Sequence, residues 1–198
     1  MTITELYEKL AEKDFQDYLT GNLFFPAYMY LYDPEKEYEI DQEILNIKNR
    51  LHRPNNYLEI MVLDIFEEFV NYLEITPFGP KTMLQDYLDD ETKMPVQVEE
   101  GLKQDATSNE FMAFVNSKIQ DHLRNAGNAD VAYIFVKGFG NVFPYLRASK
   151  FVNRFEKYIK GYKMILFYPG EVKENYSLFK LLNDEHLYRA IKLINQDL

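Results

Sequence analysis

Two apolar runs separated by a basic segment constrain this chain more than any other feature. Residues 131–136 and 163–168 each read as a buried strand, and each runs into a loop containing glycine. The first loop is Lys137-Gly138-Phe139-Gly140-Asn141, and the second is Tyr168-Pro169-Gly170-Glu171. Between the runs, residues 142–160 carry helical spacing. Strand, glycine turn, helix and strand in that order form a βαβ crossover, which joins parallel strands. The expected fold is α/β: a mainly parallel sheet of about four to five strands with helices on both faces. Loops beyond the carboxyl ends of such strands are where these sheets bind ligands and partners, so both loops are candidate sites.

The rest of the chain fits this frame. Residues 3–19 place Ile3, Leu6, Tyr7, Leu10, Phe15 and Leu19 at helical spacing, with Gly21 as a stop. A strand at 27–32 closes on Asp33-Pro34, and a helix at 38–51 aligns Ile40, Ile44, Ile47 and Leu51 on one face. A second strand at 57–63 ends at Asp64, and a helix at 65–73 follows. The connection from 65 to 129 is too long for a structureless loop. It carries helical patterns at 81–90, 96–104 and 108–125 instead. The last of these opens on Thr107-Ser108-Asn109-Glu110, a capping-box pattern, and stops at Gly127. A C-terminal helix is expected around 184–194. With 198 residues and no linker or repeat, the sequence predicts one α/β domain over 1–198, with a helical insertion after its second strand.

Composition removes several function classes. The chain has no cysteine, which excludes disulfides, thiolate metal sites and cysteine nucleophiles. The start, Met1-Thr2-Ile3-Thr4-Glu5, lacks the basic and apolar regions of a signal peptide. No stretch reaches the roughly 18 apolar residues of a membrane span. A soluble, cytoplasmic protein without membrane contact is expected. Sixteen Tyr and 15 Phe, without Trp, suit both a filled core and adhesive surfaces. Charge is divided unevenly: residues 33–100 hold 17 acidic and 6 basic side chains, while residues 137–163 hold 7 basic and a single acidic one. Such polarity directs oppositely charged partners to different faces.

The glycine loops fail the tests for nucleotide binding. Counting G-x-G-x-x-G from Gly138 gives Gly138, Gly140 and then Phe143 where the third glycine should stand. No Walker A sequence occurs, and no cofactor is expected. Arg147, Lys150, Arg154 and Lys157 recur at helical spacing beside an apolar stripe of Ala148, Phe151, Val152, Phe155 and Ile159. That arrangement suits contact with DNA phosphates, and equally an ordinary solvated helix face. Asp33, Asp64, Lys137, Asn141 and Glu171 collect at strand ends, and Glu171-Val172-Lys173 resembles half of a metal-dependent nuclease motif. Pro169-Gly170 is expected to end the fourth strand before that motif, which places it in a loop and argues against a nuclease. His52, His122 and His186 lack ligand spacing. No catalytic or metal site is assigned.

Taken together, residues 137–147 and Leu166-Phe167-Tyr168-Pro169-Gly170-Glu171 resemble the BrxB-type proteins of bacterial BREX phage-exclusion systems. That family has a G-x-G-x-V-F-P-Y-[IL]-R segment, a helix with an asparagine (here Asn153), and a strand ending F-[FY]-P-G-E. Tyr32-Asp33-Pro34, Leu178-Phe179, Asn183-Asp184 and Tyr188-Arg189-Ala190 extend the resemblance over nearly the whole chain. Glu174-Asn175-Tyr176-Ser177 departs from it, since another glycine is expected there. The resemblance implies a role in restricting bacteriophage, beside a modification methyltransferase, a large ATPase and a PglZ-type hydrolase. It carries no established catalytic activity and implies a small adaptor between these larger subunits. DNA contact through the basic helix, and a divalent-metal hydrolase using Asp33, Asp64 and Glu171, stand as alternatives.

Overall fold

The computed structural model describes residues 2–17, 27–53, 58–126, 132–172, 176–179, 182–183 and 191–192. In chain order, α1 (Ile3–Ala11) and α2 (Lys13–Gln16) precede β1 (Ala27–Tyr32), α3 (Glu37–Leu51) and β2 (Glu59–Asp64). The insertion holds α4 (Ile65–Ile75), the short strands β3 (Pro77–Phe78) and β4 (Lys81–Thr82), α5 (Met83–Asp90), α6 (Pro95–Ala106) and α7 (Asn109–Asn125). Then come β5 (Ala132–Lys137), α8 (Phe139–Val142), α9 (Ala148–Phe155) and β6 (Lys163–Val172). The strands β7 (Tyr176–Leu178), β8 (Leu182–Asn183) and β9 (Ile191–Lys192) follow.

The sheet runs β2-β5-β6-β1-β9, and every neighbouring pair in that series is parallel. This is the expected α/β architecture. Parallel strands need crossovers, and the helices supply them on both faces. One face buries Ala27, Met29, Ile134, Val136, Met164 and Leu166 under α4, α7, α8 and α9. The other buries Tyr28, Tyr30, Tyr133, Phe135, Ile165 and Phe167 under α1 and α3. Alternate residues of each strand therefore enter different cores, which is why the strands read as unbroken apolar runs.

This arrangement also accounts for the aromatic richness. Phe167 meets Tyr30 at 5.7 Å and Phe135 at 5.4 Å between ring centroids on one face. Phe69 meets Phe111 at 5.2 Å on the other. Burying each such ring stabilises the fold by roughly 1.5–3 kcal/mol.

Several expectations need correction. The N-terminal helix breaks at Glu12, which takes an extended conformation, so Phe15 can turn onto Tyr28 at 4.9 Å. The basic helix expected over 142–160 begins only at α9, past Pro144, which has no N–H to donate, and passes into a 3₁₀ turn at Glu156–Tyr158. The cap of α7 is Ser108, whose hydroxyl accepts from the Phe111 N–H at 3.0 Å; the expected four-residue box does not form, because Phe111 stands at its third helical position and has no side-chain acceptor. The β3–β4 hairpin was not foreseen. Ile191–Lys192 is a strand beside β1 where a helix was expected, while residues 184–190 of that helix, Gly21 and Gly127 lie outside the described residues.

The fourth strand does not stop before Pro169. It continues to Val172, exchanging partners as it goes. Pairing with β5 ends at Leu166, and pairing with β1 ends where Tyr32 faces Pro169. From Gly170 onward the strand pairs antiparallel with β7. Proline is tolerated at that exchange because no parallel ladder still needs its missing N–H. Its carbonyl accepts from the Phe179 N–H at 2.8 Å.

Candidate functional site

The carboxyl ends of β1, β2 and β5 meet α3 and α4 in a network of charges. Asp64, the last residue of β2, caps α4 by accepting from the N–H groups of Phe66 at 3.0 Å and Glu67 at 3.3 Å. Lys137, the last residue of β5 and the register partner of Asp64, reaches Asp64 at 3.4 Å and Asp41 at 2.8 Å. One turn before Asp41 on α3, Glu37 accepts a 2.6 Å hydrogen bond from the Tyr32 hydroxyl at the end of β1. Three strand ends and one helix are thereby joined through a single lysine and a single tyrosine.

Electrostatics follow from this partial burial. Burial lowers the Lys137 pKa, but the Asp41 hydrogen bond, the Asp41 charge and the Asp64 charge outweigh it and hold the ammonium above the ordinary lysine value. Burial raises Glu37; the Tyr32 hydrogen bond opposes this, Asp41 adds to it, Lys137 opposes it and Asp64 adds to it, with a net rise. Tyr32 is driven well above the ordinary phenol range by burial and by Glu37. A lysine held charged is no general base or nucleophile. The network matches donors to acceptors and acts as a clamp.

The first glycine loop is shaped by this clamp. Gly138 has φ +85°, and a Cβ there would stand 2.2 Å from Asp64 Oδ1. A Cβ at Gly140 would stand 3.0 Å from Phe179 and 3.4 Å from Pro169 Cγ. The two glycine loops therefore touch, and Gly138 and Gly140 answer to close packing. Asn141 is exposed, Pro169 and Gly170 are buried, and Glu171 is half-buried within β6.

The strand-end carboxylates are not all gathered together. Asp33 caps the short 3₁₀ turn Pro34–Lys36 through the Glu35 N–H at 3.2 Å. It also lines a cavity of about 740 Å³ together with Glu5, Tyr32, Lys36 and Glu43. Among the described residues, no group of three His, Asp or Glu is placed to hold a metal ion, so Asp33, Asp64 and Glu171 form no such set. Glu171 nonetheless lies within a strand, which corrects its expected placement in a loop. Lys173 is outside the described residues.

The basic stripe is also altered. Lys150 and Arg154 are exposed on α9, and Lys157 is exposed on the 3₁₀ turn Glu156–Tyr158 that follows, where it donates to Asn109 at 3.2 Å. Arg147 precedes α9 in an extended conformation, half-buried, with its guanidinium 5.9 Å from the Phe143 ring centre. Unlike Lys150, Arg154 and Lys157, it is only partly exposed. The inward face of α9 buries Phe151, Val152 and Phe155.

Glu37 and Asp41 escaped the sequence reading. Their signal was available: they lie one turn apart at the start of a helix that follows a strand, which sets them on the carboxyl edge. His122 contacts Glu59 at 2.7 Å at the start of β2, and His52 contacts the Leu58 carbonyl at 3.2 Å, both at the opposite edge. No helix among the described residues is long and apolar enough to cross a membrane.

Comparison with known proteins gives this geometry a family. A family model described as BREX protein BrxB matches residues 61–193, from within β2 to just past β9. A protein of Bacillus cereus (strain H3081.97) named BREX protein BrxB is 23% identical over 200 residues, covering 98% of this chain and 96% of its own. No solved structure matches. The family match takes in Asp64, Lys137 and both glycine loops, and on this evidence the chain belongs to the BrxB family of BREX proteins.

Proposed function

We propose that this BREX component is a non-enzymatic assembly protein, an adaptor that joins larger subunits of the system through oppositely charged faces. The observation that carries the reading is the division of labour on α9. Phe151, Val152 and Phe155 are buried in the core, while Lys150, Arg154 and the following Lys157 face outward. A cationic face fixed by a buried aromatic anchor is available for contact without any change of fold. The charged groups at the sheet edge are half-buried and engaged with one another as a clamp, so they present less charge to solvent than the exposed cations of α9. The resemblance names the large ATPase, the PglZ-type hydrolase and the methyltransferase as the subunits to be joined.

The test is the triple variant Lys150→Glu/Arg154→Glu/Lys157→Glu, expressed with the rest of its operon and purified through a tag on this chain. Its circular dichroism should match the parent while at least one co-purifying subunit is lost. Full retention of every subunit would remove the basic face as an interface.

The same three cations favour a second reading, direct contact with DNA. Neutralising phosphates with about three lysines and arginines gives log K a salt slope of roughly −3. A titration that shows no such slope dismisses DNA contact and leaves the adaptor reading in place.

A further inference from the structure

The helical insertion exposes apolar side chains on a corner that the core does not use. Residues 91–97, from the α5–α6 turn into the start of α6, are all exposed. The helix α6 buries only Ala106, at its far end. On this corner Leu88 is 60% exposed, Met94 42% and Val96 62%. The turn is nonetheless well defined. The Lys93 and Met94 N–H groups donate to the Asp90 carbonyl at 3.0 and 2.8 Å, and Pro95 opens α6.

The surroundings are acidic. Between residues 74 and 105 there are eight carboxylates against three lysines. Each lysine already has a carboxylate partner: Lys81 with Asp89, Lys93 with Asp90, and Lys103 with Glu99. Glu91 and Glu100 are exposed beside the corner. An apolar centre with a charged rim is the composition of a protein-docking site.

We infer that the α5–α6 corner, with Leu88, Met94 and Val96 at its centre and an acidic rim, docks a partner-protein segment that carries apolar side chains flanked by lysine or arginine. Charge complementarity selects that chemistry, and the same surplus of carboxylates repels nucleic acid. A second copy of this chain fits poorly. Its basic helix α9 has its apolar residues buried and offers only cations to an apolar centre. The inference rests on the adaptor reading and adds a second surface and the chemistry of its partner.

The test uses two variants of the full chain in the expressed operon, Leu88→Lys/Val96→Lys and Glu91→Lys/Glu100→Lys. A third protein carries a photo-crosslinking amino acid at position 96. Both variants should keep the parental melting curve, and recovery of one subunit should fall about tenfold. The variant Lys150→Glu/Arg154→Glu/Lys157→Glu should keep that same subunit. The peptide crosslinked at position 96 should come from that subunit and be rich in lysine or arginine. Undiminished recovery in both corner variants overturns the inference, as does a crosslink to a second copy or to an acidic peptide. If only the corner variants keep every subunit, the corner falls and the adaptor reading stands. If the basic-face variant keeps every subunit as well, both fall.

Discussion

Gly138 and Asp64 are bound by a steric relationship across two neighbouring strand ends: a Cβ on the glycine would stand 2.2 Å from the aspartate Oδ1. The same Oδ1 caps α4, so the space that glycine leaves empty is what allows the cap to form. Gly138→Ala should therefore incur two costs. The left-handed backbone at φ +85° penalises a side chain by roughly 1–2 kcal/mol, and a displaced cap adds about 1 kcal/mol. Urea unfolding should show the midpoint falling with an unchanged slope. An alanine variant as stable as the parent would contradict the geometry.

Lys137 supplies the charge that holds Asp41 and Asp64 together. Lys137→Met keeps the bulk and leaves two carboxylates facing each other beside Glu37. The lysine is 24% exposed and Asp41 37%, so the loss is well below that of a fully buried pair, roughly 1–2 kcal/mol. The double variant Lys137→Met/Asp41→Asn should recover part of it, because it removes an unpaired charge. No recovery in a double-mutant cycle would show that the two residues are not coupled.

Glu37 makes this edge sensitive to pH. Its folded-state pKa lies above the ordinary glutamate value of 4.5, chiefly through burial. Between those two values the native chain keeps a proton that the unfolded chain has released. Stability from this group is therefore complete below about pH 4.5 and is lost as pH rises through the folded value. Glu37→Gln keeps an acceptor for the Tyr32 hydroxyl and removes the titration. The parent should lose stability relative to this variant as pH rises from about 4 to about 7. Parallel curves from urea melts over that range would refute the shift.

The sequence disclosed what depends on local pattern and missed what depends on distant partners. The strands 27–32 and 132–137 announced themselves as apolar runs because both their faces are buried. The stripe Ile40, Ile44, Ile47 and Leu51 located α3 for the same reason. Pro169 misled because a proline's effect depends on whether its neighbours need a donor there, and that is a property of β1 and β5. The edge position of Asp41 was legible, but its pairing with Lys137, 96 residues away, was not, because no spacing rule connects them. Arg147 shares the periodicity of the stripe yet is only partly exposed, because it stands at the cap of α9 beside Phe143, a contact that no spacing rule shows.

Lys163 ties the N-terminal arm to the sheet. It is 2% exposed, and its ammonium donates to the carbonyls of Phe15 and of Asp17, the latter at 3.1 Å, while lying 4.3 Å from the Phe15 ring centre. Lys163→Met should leave two carbonyls without a donor, at roughly 1–3 kcal/mol. Residues 13–17 should then exchange amide hydrogens faster while β5 and β6 remain protected, and unchanged exchange in 13–17 would mean the tie is dispensable. Alkaline titration adds an independent check. Burial depresses the Lys163 pKa below its ordinary 10.5, the Asp17 charge opposing this and Lys9 adding to it, so in the window beneath 10.5 the unfolded chain holds a proton that the native chain has released. Stability from this group therefore rises with pH across that window, and the parent should gain on Lys163→Met there. A gap between the two proteins that stays constant up to about pH 10.5 would show that the ammonium is not held in a medium poorer than water.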